Sequence, residues 1–167
     1  EAPWELRMAL ARQCSDEARH VQGLYRRLRE LGGFKGEVPI STLEWNVTCA
    51  VDNLPGRLAI QNRTLEAGAI DVVGGLTRAL RALGDEATAG MLEGINADEI
   101  HHVRFANRWL KQLSRENPRT LLQVATGVQR LRQVTAGLAP RPDEAEIDCV
   151  RAAGREQARQ RTVQHAL

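Results

Sequence analysis

Apolar residues recur at alternating steps of three and four along three stretches of the chain, and acidic residues or histidines interrupt each stripe. The first stripe runs Leu6, Leu10, Gln13, Glu17, His20, Leu24, Leu28, Leu31. The second is Asn62, Glu66, Ala69, Val73, Leu76, Leu80, Leu83, and the third is Leu92, Ile95, Glu99, His102, Ala106, Trp109, Leu113. This spacing is that of an α-helix with one face toward a core. Glu17, Glu66, Glu99, His20 and His102 therefore point inward. An unpaired carboxylate in a core costs several kcal/mol, so these acids need a common partner, and a metal cluster is the economical one.

Turn chemistry divides the rest of the chain into helices. The first helix is predicted from Pro3, a favoured first-turn residue, to about Leu31, where Gly32 and Gly33 stop it. After a connector from Phe34 to Ile40, Ser41-Thr42-Leu43-Glu44 has the form of a capping box opening a short helix to about Val51. Asn53-Leu54-Pro55 opens the helix of the second stripe, which ends at Gly84, with Gly74 and Gly75 marking a bend or a close helix contact. Asp85 caps the third-stripe helix, which reaches about Arg115 before Asn117-Pro118. A fifth helix is expected from Arg119 to about Leu138, and a mostly polar one from Asp143 onward. No segment alternates with period two for long enough to make a strand. The expectation is a single all-α domain over residues 1–167, a bundle of long antiparallel helices with its metal-binding core at about 3–115.

Composition narrows the partners. Net charge is +2, from 23 basic and 21 acidic residues, and the scattered arginines argue against a dedicated nucleic-acid surface. The three cysteines are widely spaced and form no CxxC, which points away from a disulfide framework or zinc knuckle and toward the reducing cytoplasm. No apolar run approaches the ~18 residues that a membrane span needs. The chain opens at Glu1 with no methionine, so it is expected to be part of something longer.

The inward-facing acids and histidines fall into a repeated pattern. Glu17 and His20 form ExxH, as do Glu99 and His102. On a helix, residues three apart lie ~60° round and ~4.5 Å along the axis, so both side chains reach one ion from one face. Carboxylate oxygen with imidazole nitrogen suits iron or manganese and leaves positions open for water, oxygen or substrate. The alternative is a polar core in which each Glu pairs with an Arg and each His is a satisfied buried imidazole. No Arg shares the stripes, which weakens it. His101 lies ~100° off the stripe, so it is expected beside the ligands or on the surface. Tyr25 either packs or hydrogen-bonds a ligand, Gln13 and Asn62 sit where they orient Glu17 and Glu66, and Trp109 reads as core.

The segments Asp16-Glu17-Ala18-Arg19-His20 and Asp98-Glu99-Ile100-His101-His102-Val103, with Leu65-Glu66-Ala67 between them, resemble the ferritin-like di-iron carboxylate superfamily, and within it a bacterial ferritin-like branch. In that superfamily a helical bundle supplies a Glu from each of two helices and ExxH from each of the other two. The resemblance implies Glu17 and Glu99 as bridging carboxylates, His20 and His102 as terminal imidazoles, and Glu66 as a terminal carboxylate. It also implies two iron ions, or manganese with iron, and dioxygen as co-substrate. One element departs from the pattern: the first bundle helix, which bears the sixth ligand, has no counterpart upstream of Glu17. Either that helix precedes this chain, or Glu44 or Glu146 substitutes, or one metal position is incomplete. If the helix is missing, an open groove should expose Leu6 and Leu10.

The expected function is oxidation of a small organic substrate by a non-haem di-iron oxidoreductase, through hydroxylation, N-oxygenation or desaturation. The alternatives are an iron-handling ferroxidase and a metal-free interaction bundle. The two helices expected after Pro118 line a pocket or form a homodimer interface.

Overall fold

The computed structural model describes residues 2–136, all of them helix or connection. Contacts divide the chain into units Glu1–Val134 and Thr135–Leu167, and the first contains the helices described here except the last two residues of the final one. The helix expected from Asp143 and the candidate ligand Glu146 lie outside the described residues.

Three long helices carry the three stripes. Helix α1 spans Trp4–Glu30, the short α2 spans Leu43–Cys49 and α3 spans Leu54–Ile60. A π-helical turn, Gln61–Glu66, joins α3 to α4, Ala67–Ala82. Helix α5 spans Glu86–Glu116 and α6 spans Arg119–Ala136.

The stops and most caps follow the expected chemistry. Gly32 and Gly84 both adopt φ of 83°, open to glycine because it has no Cβ to clash. The amides that follow them close the helix ends, Gly33 on the Leu28 carbonyl and Asp85 on that of Leu80. The Asn53 side chain accepts from Gly56 N at 2.8 Å and that of Asp85 from Thr88 N at 3.0 Å, each satisfying an otherwise orphaned helix amide. The capping box at Ser41 does not form. Thr42 occupies the cap position without a side-chain cap bond, and the Ser41 hydroxyl accepts from Leu43 N.

Two apolar clusters hold the bundle. Leu6 of α1, Leu58 and Ala59 of α3, and Ala106, Trp109 and Leu110 of α5 form one, with α6 adding Val124 and Val128 at its edge. Val47, Val51, Ile60 and Leu131 form the other, tying α2 and α3 to α6. Helices α3 and α6 meet at glycines: a Cβ on Gly127 would lie 3.1 Å from the Gly56 Cα. Both sites exclude a side chain and so fix how α6 lies behind the π-turn.

Two expectations about these stripes fail. Leu6 is fully buried and Leu10 partly so, because α3 and α5 cover the start of α1. Large apolar side chains are exposed instead at Trp4, Met8, Leu24 and Leu28 of α1 and Leu31 at its end, and at Val72 and Leu76 of α4 and Leu83 at its end. The irregularity in the second-stripe helix falls at Gln61–Glu66 rather than at Gly74 and Gly75, which continue α4 without interruption. A Cβ at Gly74 would sit at 3.8 Å from Asn96 of α5, an ordinary contact, so that glycine lies at the α4–α5 seam without being required by it. After the π-turn it is Thr77, not Leu76, that is buried. No described helix is long and apolar enough to cross a membrane.

Candidate metal centre

Glu17, Glu66, Glu99 and His102 each place a ligand atom within 4.8 Å of the others. They come from α1, the end of the π-turn and the middle of α5, so the centre joins the three long elements. His20 joins through Nδ1, which lies 3.3 Å from Glu17 Oε2 and 3.6 Å from Glu99 Oε1. His102 mirrors it, with Nδ1 at 3.1 Å from Glu99 Oε2 and 3.6 Å from Glu17 Oε1. Of the five residues read from the stripes, four form one cluster and His20 reaches two of its acids. The surroundings are buried except at Glu17, whose side chain remains 46% exposed.

The outer edges of the two rings are held crosswise. His20 Nε2 lies 3.0 Å from Asp98 Oδ2, and His102 Nε2 lies 3.3 Å from Asp16 Oδ2. Each Asp immediately precedes the Glu of one motif and grips the histidine of the other. Arg19 ties the two together, donating to Asp16 Oδ1 and Asp98 Oδ2 at 2.8 Å each. Arg19 holds the Asp16 carboxyl below the usual carboxylate range, and the His20 hydrogen bond does most to lower that of Asp98. Two ionised aspartates accepting Nε2–H leave each Nδ1 aimed at the glutamates, which fixes the tautomer that binds a cation. Sequence reasoning missed this pair of aspartates and Arg19. The signal was present as D-E-x-x-H repeated in both motifs, but a residue next to a ligand points off the stripe, and which ring it meets depends on how α1 and α5 cross.

Glu66 is held by amides. Asn62 Nδ2 donates to Glu66 Oε1 and Oε2 at 3.1 and 3.0 Å, and Gln13 Nε2 donates to Oε1 at 2.6 Å. The same Asn62 amide also reaches Gln13 Oε1 at 2.9 Å, closing a triangle across α1 and the π-turn. Asn62 thus meets its expectation, whereas Gln13 orients Glu66 of the facing helix rather than Glu17 of its own. The π-turn widens the backbone here, and the Thr64 hydroxyl donates to the Ala59 carbonyl five residues back at 2.8 Å. Such turns inside α-helices occur frequently at functional sites.

Burial and mutual repulsion shift the titration of the clustered groups. Burial pushes the Glu66 carboxyl up to about 7, with the Glu99 charge adding to the rise. Glu99 is raised likewise, by burial and then by Glu17. For His102, burial opposes the charged ring, but hydrogen bonds to Asp16 and Glu99 outweigh it and raise the pKa. Acids crowded until they resist ionising, facing imidazole nitrogens, form a donor set that fits one or two first-row transition-metal ions.

The other residues that the sequence singled out fall outside the centre. Tyr25 is exposed on α1 beside Gln22, Arg26 and Arg29, and makes no hydrogen bond to the centre among the described residues. His101 is exposed, as its angle from the stripe required, and Trp109 is core. Glu44 is exposed on α2 and does not join the cluster, so it does not supply a sixth ligand.

The chain belongs to the family described as Protein of unknown function (DUF455), whose model matches residues 1–142. The match spans both D-E-x-x-H segments, the π-turn and all of α6. No curated protein and no solved structure matches the chain.

Proposed function

We propose that this DUF455 protein is a ferritin-like metalloprotein that uses a pair of iron ions, or manganese with iron, to oxidise a small organic substrate with dioxygen. The observation that carries this reading is the convergence of Glu17, Glu66, Glu99 and His102 within 4.8 Å, with His20 Nδ1 facing the same point. Glu17 and Glu99 are placed between the two imidazoles and would hold both ions, while Glu66 would bind on the side of the π-turn. The bound metal would supply reduction of dioxygen and the open coordination positions where it reacts.

The chain's own residues support this chemistry by position. The Asp16–Arg19–Asp98 bridge holds both histidines against rotation, and Gln13 and Asn62 keep both Glu66 oxygens occupied until a cation competes for them. Outer partners of this kind are typically worth about 10–100-fold in metal affinity.

The exposed edge at Glu17 favours a second reading, in which Fe(II) from solvent is itself the substrate of a ferroxidase. The two differ in stoichiometry. A resident centre saturates at a fixed number of ions per chain, whereas iron handling continues beyond it under oxygen.

The test is metal analysis of anaerobically purified protein, followed by oxygen exposure with optical spectroscopy. Glu99→Ala is expected to remove most bound iron. Glu99→Leu, freed of a buried charge, is expected to unfold at a higher temperature than the metal-free parent. Iron content unchanged in both variants would exclude coordination by Glu99 and with it this proposal.

A further inference from the structure

Behind the centre, between α1 and α5, lies a half-open cleft of about 740 Å³ whose exposed rim carries more positive charge than its neighbours neutralise. Its inner wall is His102 with Asp16 and Gln13, its apolar surface comes from Met8 and Phe105, and Arg12, Arg104 and Arg108 reach it from the two helices. Its acids are already engaged: Asp16 and Asp98 hold Arg19 and the two histidines. None of the three lining arginines pairs with a carboxylate among the described residues, and the Arg108 guanidinium lies over the face of Trp109, 5.9 Å from the ring centre.

We infer that this cavity is a binding site for an organic anion, a molecule with a phosphate or carboxylate head and an apolar body. Three exposed guanidinium groups lining one cleft, none paired with a carboxylate among the described residues, give it a positive field that concentrates anions. Guanidinium is also the side chain whose paired donors fit phosphate and carboxylate oxygens in bidentate fashion. The volume lies within the ~300–1,000 Å³ usual for small-molecule sites. Met8 and Phe105 supply the apolar contact that distinguishes an organic anion from an inorganic one.

The site is separate from the coordination face. The Nδ1 edge of His102 faces the glutamates and its Nε2 edge faces Asp16, which lines the cavity. A ligand here touches the Asp16–His102 pair rather than the cluster of acids. The inference therefore does not depend on the metal reading, and binding is expected both in protein as purified and after chelation.

Calorimetric titration of the full chain with phenyl phosphate, benzoate and inorganic phosphate tests it. One saturable site is expected for phenyl phosphate or benzoate, with the tighter of the two naming the head group, and at least tenfold weaker binding of inorganic phosphate. The double variant Arg104→Gln, Arg108→Gln is expected to weaken binding at least tenfold with metal content and helical circular dichroism unchanged. Arg26→Gln with Arg29→Gln, which removes the same charge from α1 away from the cleft, should leave it intact. Equal weakening in both double variants would reduce the effect to net charge and overturn the site. So would the absence of saturable binding, including the case in which only a polyanion such as polyuridylate binds.

Discussion

Buried beside Gln13, Asn62 and the charge of Glu99, the Glu66 carboxyl titrates near 7 instead of in the usual carboxylate range. The folded, metal-free protein thus holds a proton that the unfolded chain has released, and stability falls as pH rises from about 4.5 through about 7. Glu99 and His102, both raised, act in the same direction, because each keeps a proton in the folded state to higher pH than in the unfolded one. Asp16 and Asp98 are lowered and act only in acid, outside this window. The urea midpoint of metal-free protein is therefore expected to drop between about pH 5 and pH 8, and Glu66→Gln to flatten that drop. A variant with the parent's slope would show that Glu66 does not titrate there. The crossed aspartates give a second test at this scale. Asp98→Ala removes the acceptor that holds His20 and leaves Arg19 only Asp16, so apparent metal affinity is expected to fall by ~10–100-fold while the fold persists. Unaltered affinity by competition with a chelator would relegate the Asp–His pairs to packing.

At the scale of elements, the π-turn and the glycine crossing position Glu66. Periodicity made the three long helices legible, and it placed the inward acids correctly, because Glu17, Glu66 and Glu99 lie on stripes whose phase is local. The π-turn was not legible: Gln61–Glu66 contains no glycine or proline, and nothing in its composition separates it from an ordinary turn. Past it the helix is regular, and Thr77, about three turns beyond Glu66, shares the buried face of Glu66, whereas Leu76 lies ~80° off it. The crossing of α3 and α6 was equally hidden, since Gly56 and Gly127 are far apart in sequence and their meeting is a tertiary event. The Gly127 Cβ position is 3.1 Å from the backbone of Gly56, which cannot yield as a flexible side chain would. Gly127→Ala is expected to destabilise the protein by about 1–3 kcal/mol, the usual range for overpacking, as measured by denaturant unfolding. Were stability instead to rise, as expected for glycine replaced in an open helix, the close crossing would be wrong.

For the whole molecule, the centre is what fastens α1 to the rest. Of the 27 residues of α1, only Leu6 and His20 are buried. Leu6 secures the helix start in the apolar core, and Arg27 secures its end by donating to Asp85 at 2.7 Å and to Thr88 at 2.7 Å. Between them the attachment is polar: Gln13 to Glu66, Asp16 to His102, and Arg19 and His20 to Asp98. This middle section also crowds three acids, Glu17, Glu66 and Glu99, whose ionisation together opposes docking and is relieved in part by the proton that Glu66 keeps to about pH 7. A cation bound by all three, as proposed, would cross-link α1, the π-turn and α5. Because such a ligand binds only the folded arrangement, it stabilises the protein by RT ln(1 + [L]/Kd), about 2.7 kcal/mol at a free concentration of 100 Kd. The gain should not be uniform. Helix α6 is held by apolar contacts with α2 and α3 and does not reach the centre, so its amides should exchange at similar rates with and without metal. Amides in the middle of α1 should gain protection on adding Mn(II) or anaerobic Fe(II), and Glu17→Gln with Glu99→Gln should remove the gain. Protection spread evenly over α1 and α6, or a rise in unfolding temperature that survives the double variant, would mean that the metal binds elsewhere.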